Sequence, residues 1–168
     1  LCYDNEGYGN TGQQASGATP HGARTASSAR GWSGAKKDLF AIWAAHRPAY
    51  CATVVGADPV DLARKIQKAA AIKGPRLILA LAPCPTGWDF ESQDSVEIGR
   101  LAVKTGVWPL KEYEKERVVH TRIPHPRAPV EQYLARQGRF AYLFAPERNE
   151  VEIARIQAEV DAYWAQVH

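Results

Sequence analysis

The feature that most restricts this chain is a long stretch with no acids and many glycines. From Gly7 to Lys37 there is no Asp or Glu, although Arg24, Arg30, Lys36 and Lys37 lie there. Seven of the thirteen glycines fall between Gly7 and Gly34. Directly before it stands Leu1-Cys2-Tyr3, an apolar run that reads as the end of a buried strand. A flexible, acid-free backbone at the end of such a strand suits a bound phosphate. Backbone N–H groups approach closely where no side chain intervenes, and no carboxylate repels the anion. A disordered linker has a similar composition. The adjoining strand and the motif Asp4-Asn5-Glu6 argue for an ordered loop instead.

Gly7-Tyr8-Gly9-Asn10-Thr11-Gly12 matches the dinucleotide fingerprint G-x-G-x-x-G. That fingerprint works only where the glycines open a helix whose N-terminus holds the pyrophosphate. Here Gly17 and Pro20 follow too soon for a long helix. The acid expected about 20 residues on, to hold the ribose, is also missing. A hard divalent cation fits better. The Asn5 side-chain carbonyl and the Gly7 main-chain carbonyl are oxygen ligands of the kind Mg²⁺ takes, with diphosphate oxygens completing the octahedron.

The 168 residues suit one domain with a real core. A net charge of +3 does not call for nucleic acid, because acids and bases mix after residue 37. No apolar run approaches the roughly 18 residues of a membrane span, and a cytoplasmic setting is expected. Three cysteines make no disulfide framework. There is no Met, and Leu1 lies inside an apparent strand, so further residues are expected upstream.

Along the chain, residues 1–6 read as a strand and residues up to about 34 as the loop. Residues 37–46 read as a helix with Leu39, Phe40, Ile42, Trp43 and Ala44 on an apolar face. Tyr50-Cys51-Ala52-Thr53-Val54-Val55 reads as a parallel strand. Asp58 and Pro59 open a helix carrying Leu62, Ile66, Ala69 and Ala70. Residues 76–82 read as the next buried strand. Strand, helix and strand in this order predict a doubly wound, mostly parallel α/β sheet. Asp94 or Ser95 caps a helix to about Thr105. Residues 107–110 and 118–123 read as a hairpin, and 130–137 as a short helix. Asn149 caps a last amphipathic helix with Val151, Ile153, Ile156, Val160 and Trp164.

In such sheets ligands sit beyond the carboxyl ends of the strands. Two chemically loaded segments lie there, the loop at 5–20 and Pro83-Cys84-Pro85-Thr86-Gly87-Trp88. Cys2 and Cys51 fall in strands and read as small buried hydrophobes, whereas prolines and a glycine set Cys84 in a turn. Arg24, near His21 and Thr25, reads equally as a fork for a carboxylate or phosphate and as a solvated loop arginine. His46, His120, His125 and His168 show no metal spacing and read as packing or surface residues.

Asp4-Asn5-Glu6, Tyr8, Asn10-Thr11-Gly12, Gln14, Ser16-Gly17, Thr19-Pro20 and Gly22-Ala23 together resemble the thiamine-diphosphate loop of the β subunit of 2-oxoacid:ferredoxin oxidoreductases, the pyruvate synthase group. The segment at 82–88, Lys36-Lys37-Asp38-Leu39, the run at 101–110 and Arg136-Gln137-Gly138-Arg139-Phe140 resemble the same family. The resemblance reaches about residue 145. It implies the C-terminal portion of a thiamine-diphosphate-binding domain over 1–145, with the cofactor loop at 1–34 and an extension at 107–145; the residue pattern adds a C-terminal helix within 146–168. Gly7 and Gly9 depart from it, standing where Ala and a larger residue are expected.

The resemblance implies thiamine diphosphate and Mg²⁺, with Asn5 and Gly7 on the metal and Tyr8, Gly9, Asn10 and Thr11 lining the cofactor. Asn10 is the expected catalytic residue, facing the substrate. Cys84 is expected as one ligand of a [4Fe–4S] cluster. The implied reaction decarboxylates a 2-oxoacid, passes electrons to ferredoxin and hands the acyl group to coenzyme A, within a complex of α-, γ- and δ-type subunits. The glutamate that activates the cofactor would come from a partner, which leaves Glu6 a structural carboxylate. Pyruvate is the default substrate; 2-oxoglutarate, branched-chain and aryl 2-oxoacids stay open. A non-redox thiamine-diphosphate decarboxylase or synthase would use the same loop without Cys84. A non-catalytic binding fragment is the third reading.

Overall fold

A computed structural model describes residues 1–167. His168 lies outside the described residues. Five strands form one sheet in the order β1-β3-β2-β4-β5. These are β1 (Cys2–Asp4), β2 (Tyr50–Val55), β3 (Arg76–Leu81), β4 (Leu110–Glu114) and β5 (Arg117–Arg122). β3 pairs parallel with both β1 and β2, β2 pairs antiparallel with β4, and β4 antiparallel with β5. Only β4 therefore runs against the others, and the expected doubly wound, mostly parallel sheet is what forms.

The central strands alternate their side chains between two cores, as the pleat dictates. Cys51 and Val55 of β2 and Leu77, Leu79 and Leu81 of β3 join a large core, with Phe40, Trp88, Ile98, Phe140, Ile153 and Ile156. Tyr50, Ala52, Val54, Ile78 and Ala80 face the other way and meet Ala69 in a smaller one. The helices covering the large core are α1 (Leu39–Ala45), α4 (Ser95–Lys104), α5 (Glu131–Leu134) and α6 (Glu150–Trp164), while α2 (Pro59–Ala71) covers the small one. Side-chain caps start three of them. Asp38 accepts from Ala41 N at 2.9 Å, Asp58 from Asp61 N at 3.2 Å and Asn149 from Glu152 N at 3.0 Å. Asp94 stands at the N-cap of α4 without a side-chain bond.

Several sequence expectations need correction. The run at 1–3 is not buried, since β1 is an edge strand with Leu1 and Tyr3 67% and 70% exposed, and Ile42 and Ile66, expected on apolar helix faces, are 48% and 41% exposed. Residues 107–109 are not a strand. They wrap the end of α4, where Trp108 N donates to Ala102 O at 2.9 Å and Trp108 Nε1 to Val54 O at 3.1 Å. The hairpin is instead β4 and β5, turning at Lys115 and Glu116, both at positive φ. Val151 is not on the apolar face of α6 but 81% exposed, because the Asn149 cap phases the helix so that Ile153 and Ile156 point inward.

Candidate functional site

β1 and β3 end side by side, with Asp4 opposite Leu81, and Ala82 N donates to Asp4 O at 2.9 Å. The two segments that follow these strands therefore leave the same edge together. Trp88 fastens them: its Nε1 donates to Asn5 O at 2.9 Å. Trp88 sits at the end of a single helical turn, α3 (Pro85–Trp88), whose N-cap is Cys84.

Glu6 is the pin of the first segment. Its backbone is left-handed, at φ 62°, a conformation that costs a non-glycine residue energy and persists only when its surroundings impose it. Here the carboxylate imposes it. Lys36 Nζ donates to one oxygen at 2.6 Å and Arg139 Nη2 to the other at 2.7 Å. Lys36 Nζ also lies 2.9 Å from Asp4 Oδ2. The Arg139 guanidinium stacks 3.9 Å from the Trp88 ring centroid, and its Nε donates to Gln137 Oε1 at 2.9 Å. Burial alone would raise the Glu6 pKa, but Lys36 and Arg139 outweigh it and hold the carboxyl below its ordinary range. Burial would lower Lys36, and Glu6 and Asp4 raise it instead. Two anions and two cations thus cancel. The main chain of Glu6 is tied as well, its carbonyl accepting from Thr19 Oγ1 at 2.8 Å.

This network leaves Asn5 and Gly7 on the wall of a cavity of about 460 Å³, with Asp4, Lys36, Trp108 and Lys111. Gly7 N donates to Asn5 Oδ1 at 3.3 Å, folding the amide over the turn. No donor among the described residues reaches the Gly7 carbonyl. An amide oxygen and a free carbonyl at one cavity wall suit a hard cation. With Asp4 and Glu6 neutralised, no bare carboxylate opposes a diphosphate. The residues present therefore fit a Mg²⁺–diphosphate group.

Tyr8, Gly9, Asn10 and Thr11 lie elsewhere. Residues 8–14 form a small hairpin in which Tyr8 N donates to Gln14 O at 3.0 Å and Gln13 N to Tyr8 O at 2.9 Å. All four of those residues are exposed, and none lines the cavity. Asn10 stands near the tip. Gly9 has a close neighbour, since a Cβ there would come within 3.0 Å of Asn5 Nδ2.

Cys84 is half-buried, and its Sγ accepts from Gly87 N at 3.4 Å. Burial pushes the Cys51 thiol up to about 12, which leaves it inert. Among the described residues no group of three or more His, Cys, Asp or Glu is placed to hold a metal. Cys84 thus offers one thiolate and not a whole cluster.

Of the other residues singled out, His21 Nε2 meets Glu152 of α6 at 2.5 Å, and the exposed Arg24 stacks 4.0 Å from the Tyr142 ring centroid. Both serve packing. Sequence reasoning missed Lys36, Trp88 and Arg139 as site residues. The only signal was that all three lay inside stretches resembling the family. Nothing local announces that Arg139 reaches Glu6, 133 positions away.

The family of thiamine pyrophosphate enzymes, through its C-terminal TPP-binding domain, matches residues 1–80. Pyruvate synthase subunit PorB of Methanosarcina barkeri is 45% identical over 167 residues, which cover 96% of this chain and 56% of that protein. The PorB subunit of Methanocaldococcus jannaschii is 43% identical over 166 residues, 96% of this chain and 54% of the relative. Ketoisovalerate oxidoreductase subunit VorB of Pyrococcus horikoshii is 44% identical over 151 residues, 85% and 48% respectively. The chain spans about half the length of the curated relatives it matches.

Proposed function

Because the chain belongs to the thiamine pyrophosphate enzymes, with the β subunits of 2-oxoacid:ferredoxin oxidoreductases, we propose that it forms the cofactor-holding part of such a subunit. The complete enzyme decarboxylates a 2-oxoacid oxidatively in the cytoplasm, yields acyl-coenzyme A and sends electrons to ferredoxin or a similar acceptor. The observation that carries this reading is the junction of the two segments. The Asn5–Gly7 turn and the Cys84 turn leave neighbouring parallel strands and are bonded to each other through Trp88. A non-redox enzyme needs the first turn and has no use for a cysteine at the second.

When bound, thiamine diphosphate supplies the electron sink on which a 2-oxoacid can lose CO₂. Asn5 Oδ1 and the Gly7 carbonyl would hold Mg²⁺, while Tyr8, Gly9 and Thr11 would border the cofactor. Asn10, exposed on its hairpin, would donate its amide N–H to negative charge developing on the substrate, in a space that a partner subunit closes. Cys84 would give one thiolate to a [4Fe–4S] cluster completed by ligands outside the described residues. The names of the relatives favour pyruvate or a branched-chain 2-oxoacid.

The test is made on the purified complex. Iron, thiamine diphosphate and 2-oxoacid-dependent reduction of a viologen dye in the presence of coenzyme A should all be found. CO₂ release by an iron-free complex that reduces no dye would establish the non-redox reading. Asn10→Ala should keep its cofactor and lose about 10²–10³-fold in kcat. Unchanged turnover removes Asn10 from the active site.

A further inference from the structure

Gln13 has no role in the site as described, yet its surroundings are unusual. Its backbone is left-handed, at φ 61°, and is fixed at both ends: its N–H donates to Tyr8 O at 2.9 Å and its carbonyl accepts from Ala26 N at 3.1 Å. Its side chain therefore has one direction to go, and it enters the gap between the two segments of the site. Two glycines make that gap. A Cβ on Gly7 would collide with the Gln13 amide nitrogen and lie 3.0 Å from Cδ. A Cβ on Gly87 would collide with Oε1 and lie 2.8 Å from Nε2. Gln13 Oε1 is buried with no hydrogen-bond partner among the described residues. An orphaned buried acceptor is unfavourable, so the amide is held there by shape and not by a bond of its oxygen.

Both glycines lead to a residue of the candidate chemistry. Gly7 N bonds Asn5 Oδ1, and Gly87 N bonds Cys84 Sγ. Asn5, Gly7, Gln13, Gly87 and Cys84 thus form one unbroken line of contacts from the candidate cation ligands to the candidate thiolate. We propose that Gln13 is a positioning residue that couples the Asn5–Gly7 turn to the Cys84 turn, so that filling the first changes the setting of the second. The proposal rests on the thiamine diphosphate reading above. The Gln13 amide acts as a rigid spacer: a ligand that moves Gly7 must move the amide, and the amide must move Gly87.

The experiment uses the full-length protein prepared free of iron. The rate at which iodoacetamide alkylates Cys84 is followed by mass spectrometry, with and without thiamine diphosphate and Mg²⁺. The buried Cys51 is the internal control. In the wild type the ligand should change the Cys84 rate about fivefold or more, the lower end of ordinary allosteric coupling. Gln13→Asn tolerates the left-handed backbone and withdraws the amide by one methylene. It should bind thiamine diphosphate in calorimetry within about threefold of wild type, with a Cys84 rate that no longer responds. A purely structural Gln13 would change the melting temperature and leave the response intact. A wild-type Cys84 that ignores bound ligand, or a Gln13→Asn response equal to wild type, overturns the proposal. A wild type that binds no thiamine diphosphate brings down the cofactor reading itself. One arm needs no ligand: Gly87→Ala should lower the melting temperature in the wild type and be tolerated in Gln13→Asn. Equal lowering in both backgrounds overturns the spacer.

Discussion

Both faces of the sheet bury charge, and they do so in different ways. On the face covered by α2, Lys65 Nζ meets Asp61, one helical turn back, at 2.6 Å and donates to Thr53 O at 2.9 Å. Nearby, Lys68 joins Glu112 at 3.1 Å and Glu114 at 2.8 Å. Each of these ions belongs to a regular element whose hydrogen bonds already fix its place. On the opposite edge, Asp4, Glu6, Lys36 and Arg139 meet. Glu6 and Lys36 lie in no helix or strand, and Arg139 is in a short 3₁₀ turn. There the ions join Thr19 and Trp88 in holding backbone that no ladder fixes. The contrast separates charge that decorates a fold from charge that shapes a site.

Removing one partner from each cluster tests that separation. Arg139→Met should have the largest effect. Glu6 keeps Lys36 but loses a guanidinium only 3% exposed, and removing one partner of a buried pair costs about 3–5 kcal/mol. Urea unfolding measures the loss, and thiamine diphosphate affinity should fall with it, since Asn5 and Gly7 flank Glu6. Lys65→Met should cost less, about 1–3 kcal/mol, because Asp61 keeps Arg64 at 3.0 Å and burial already disfavours the Lys65 charge. Its thiamine diphosphate affinity should stay within about twofold of wild type. Equal loss of affinity in the two variants would show that the faces are not independent.

A smaller change probes the site face alone. Gly9→Ala places a Cβ 3.0 Å from Asn5 Nδ2. The Asn5 amide must yield by a few tenths of an ångström, while the exposed hairpin has room to absorb the rest. Calorimetry should show Mg²⁺–thiamine diphosphate binding weakened about tenfold, ~1.4 kcal/mol, with stability changed by less than about 0.5 kcal/mol. Unaltered affinity would mean that the Asn5 amide does not reach the cation.

The parts of this molecule that were legible in its sequence are those fixed by local rules. β2, α2 and β3 follow from apolar runs, a capping Asp58 and a proline at the first turn. The loop after β1 and the turn at Cys84 follow from glycine and proline. The hairpin was misplaced for a physical reason. Lys111, Glu112 and Glu114 look like a turn, but β4 pairs Glu112 with Lys68 and the Tyr50 hydroxyl and lays Lys111 over Phe40. Charged residues can form a strand when partners from distant elements satisfy them. The same limit hid the Glu6–Arg139 pair and the Gln13 spacer, which exist only once segments far apart in sequence are brought together.

The smallest effect separates two titrations on the site face. His120 donates to or accepts from the Tyr163 hydroxyl at 2.7 Å, and burial, followed by the charge of Lys111, lowers its pKa from the ordinary 6.5. A lowered histidine binds its proton more readily in the unfolded chain, so stability should decline as pH drops below about 6.5 until the folded value is passed. Glu6 works in another window. Its folded pKa lies below the ordinary 4.5, so its contribution is complete above that value and is lost as pH falls through the folded one. His120→Gln should therefore flatten the stability curve just below pH 6.5 and leave the steeper acid limb in place. Arg139→Met should do the reverse, weakening the acid limb and leaving the shallow one. A single limb that both substitutions alter equally would mean that the hairpin and the loop network titrate as one unit, and that the division drawn between ladder-held and ion-held regions fails on this face.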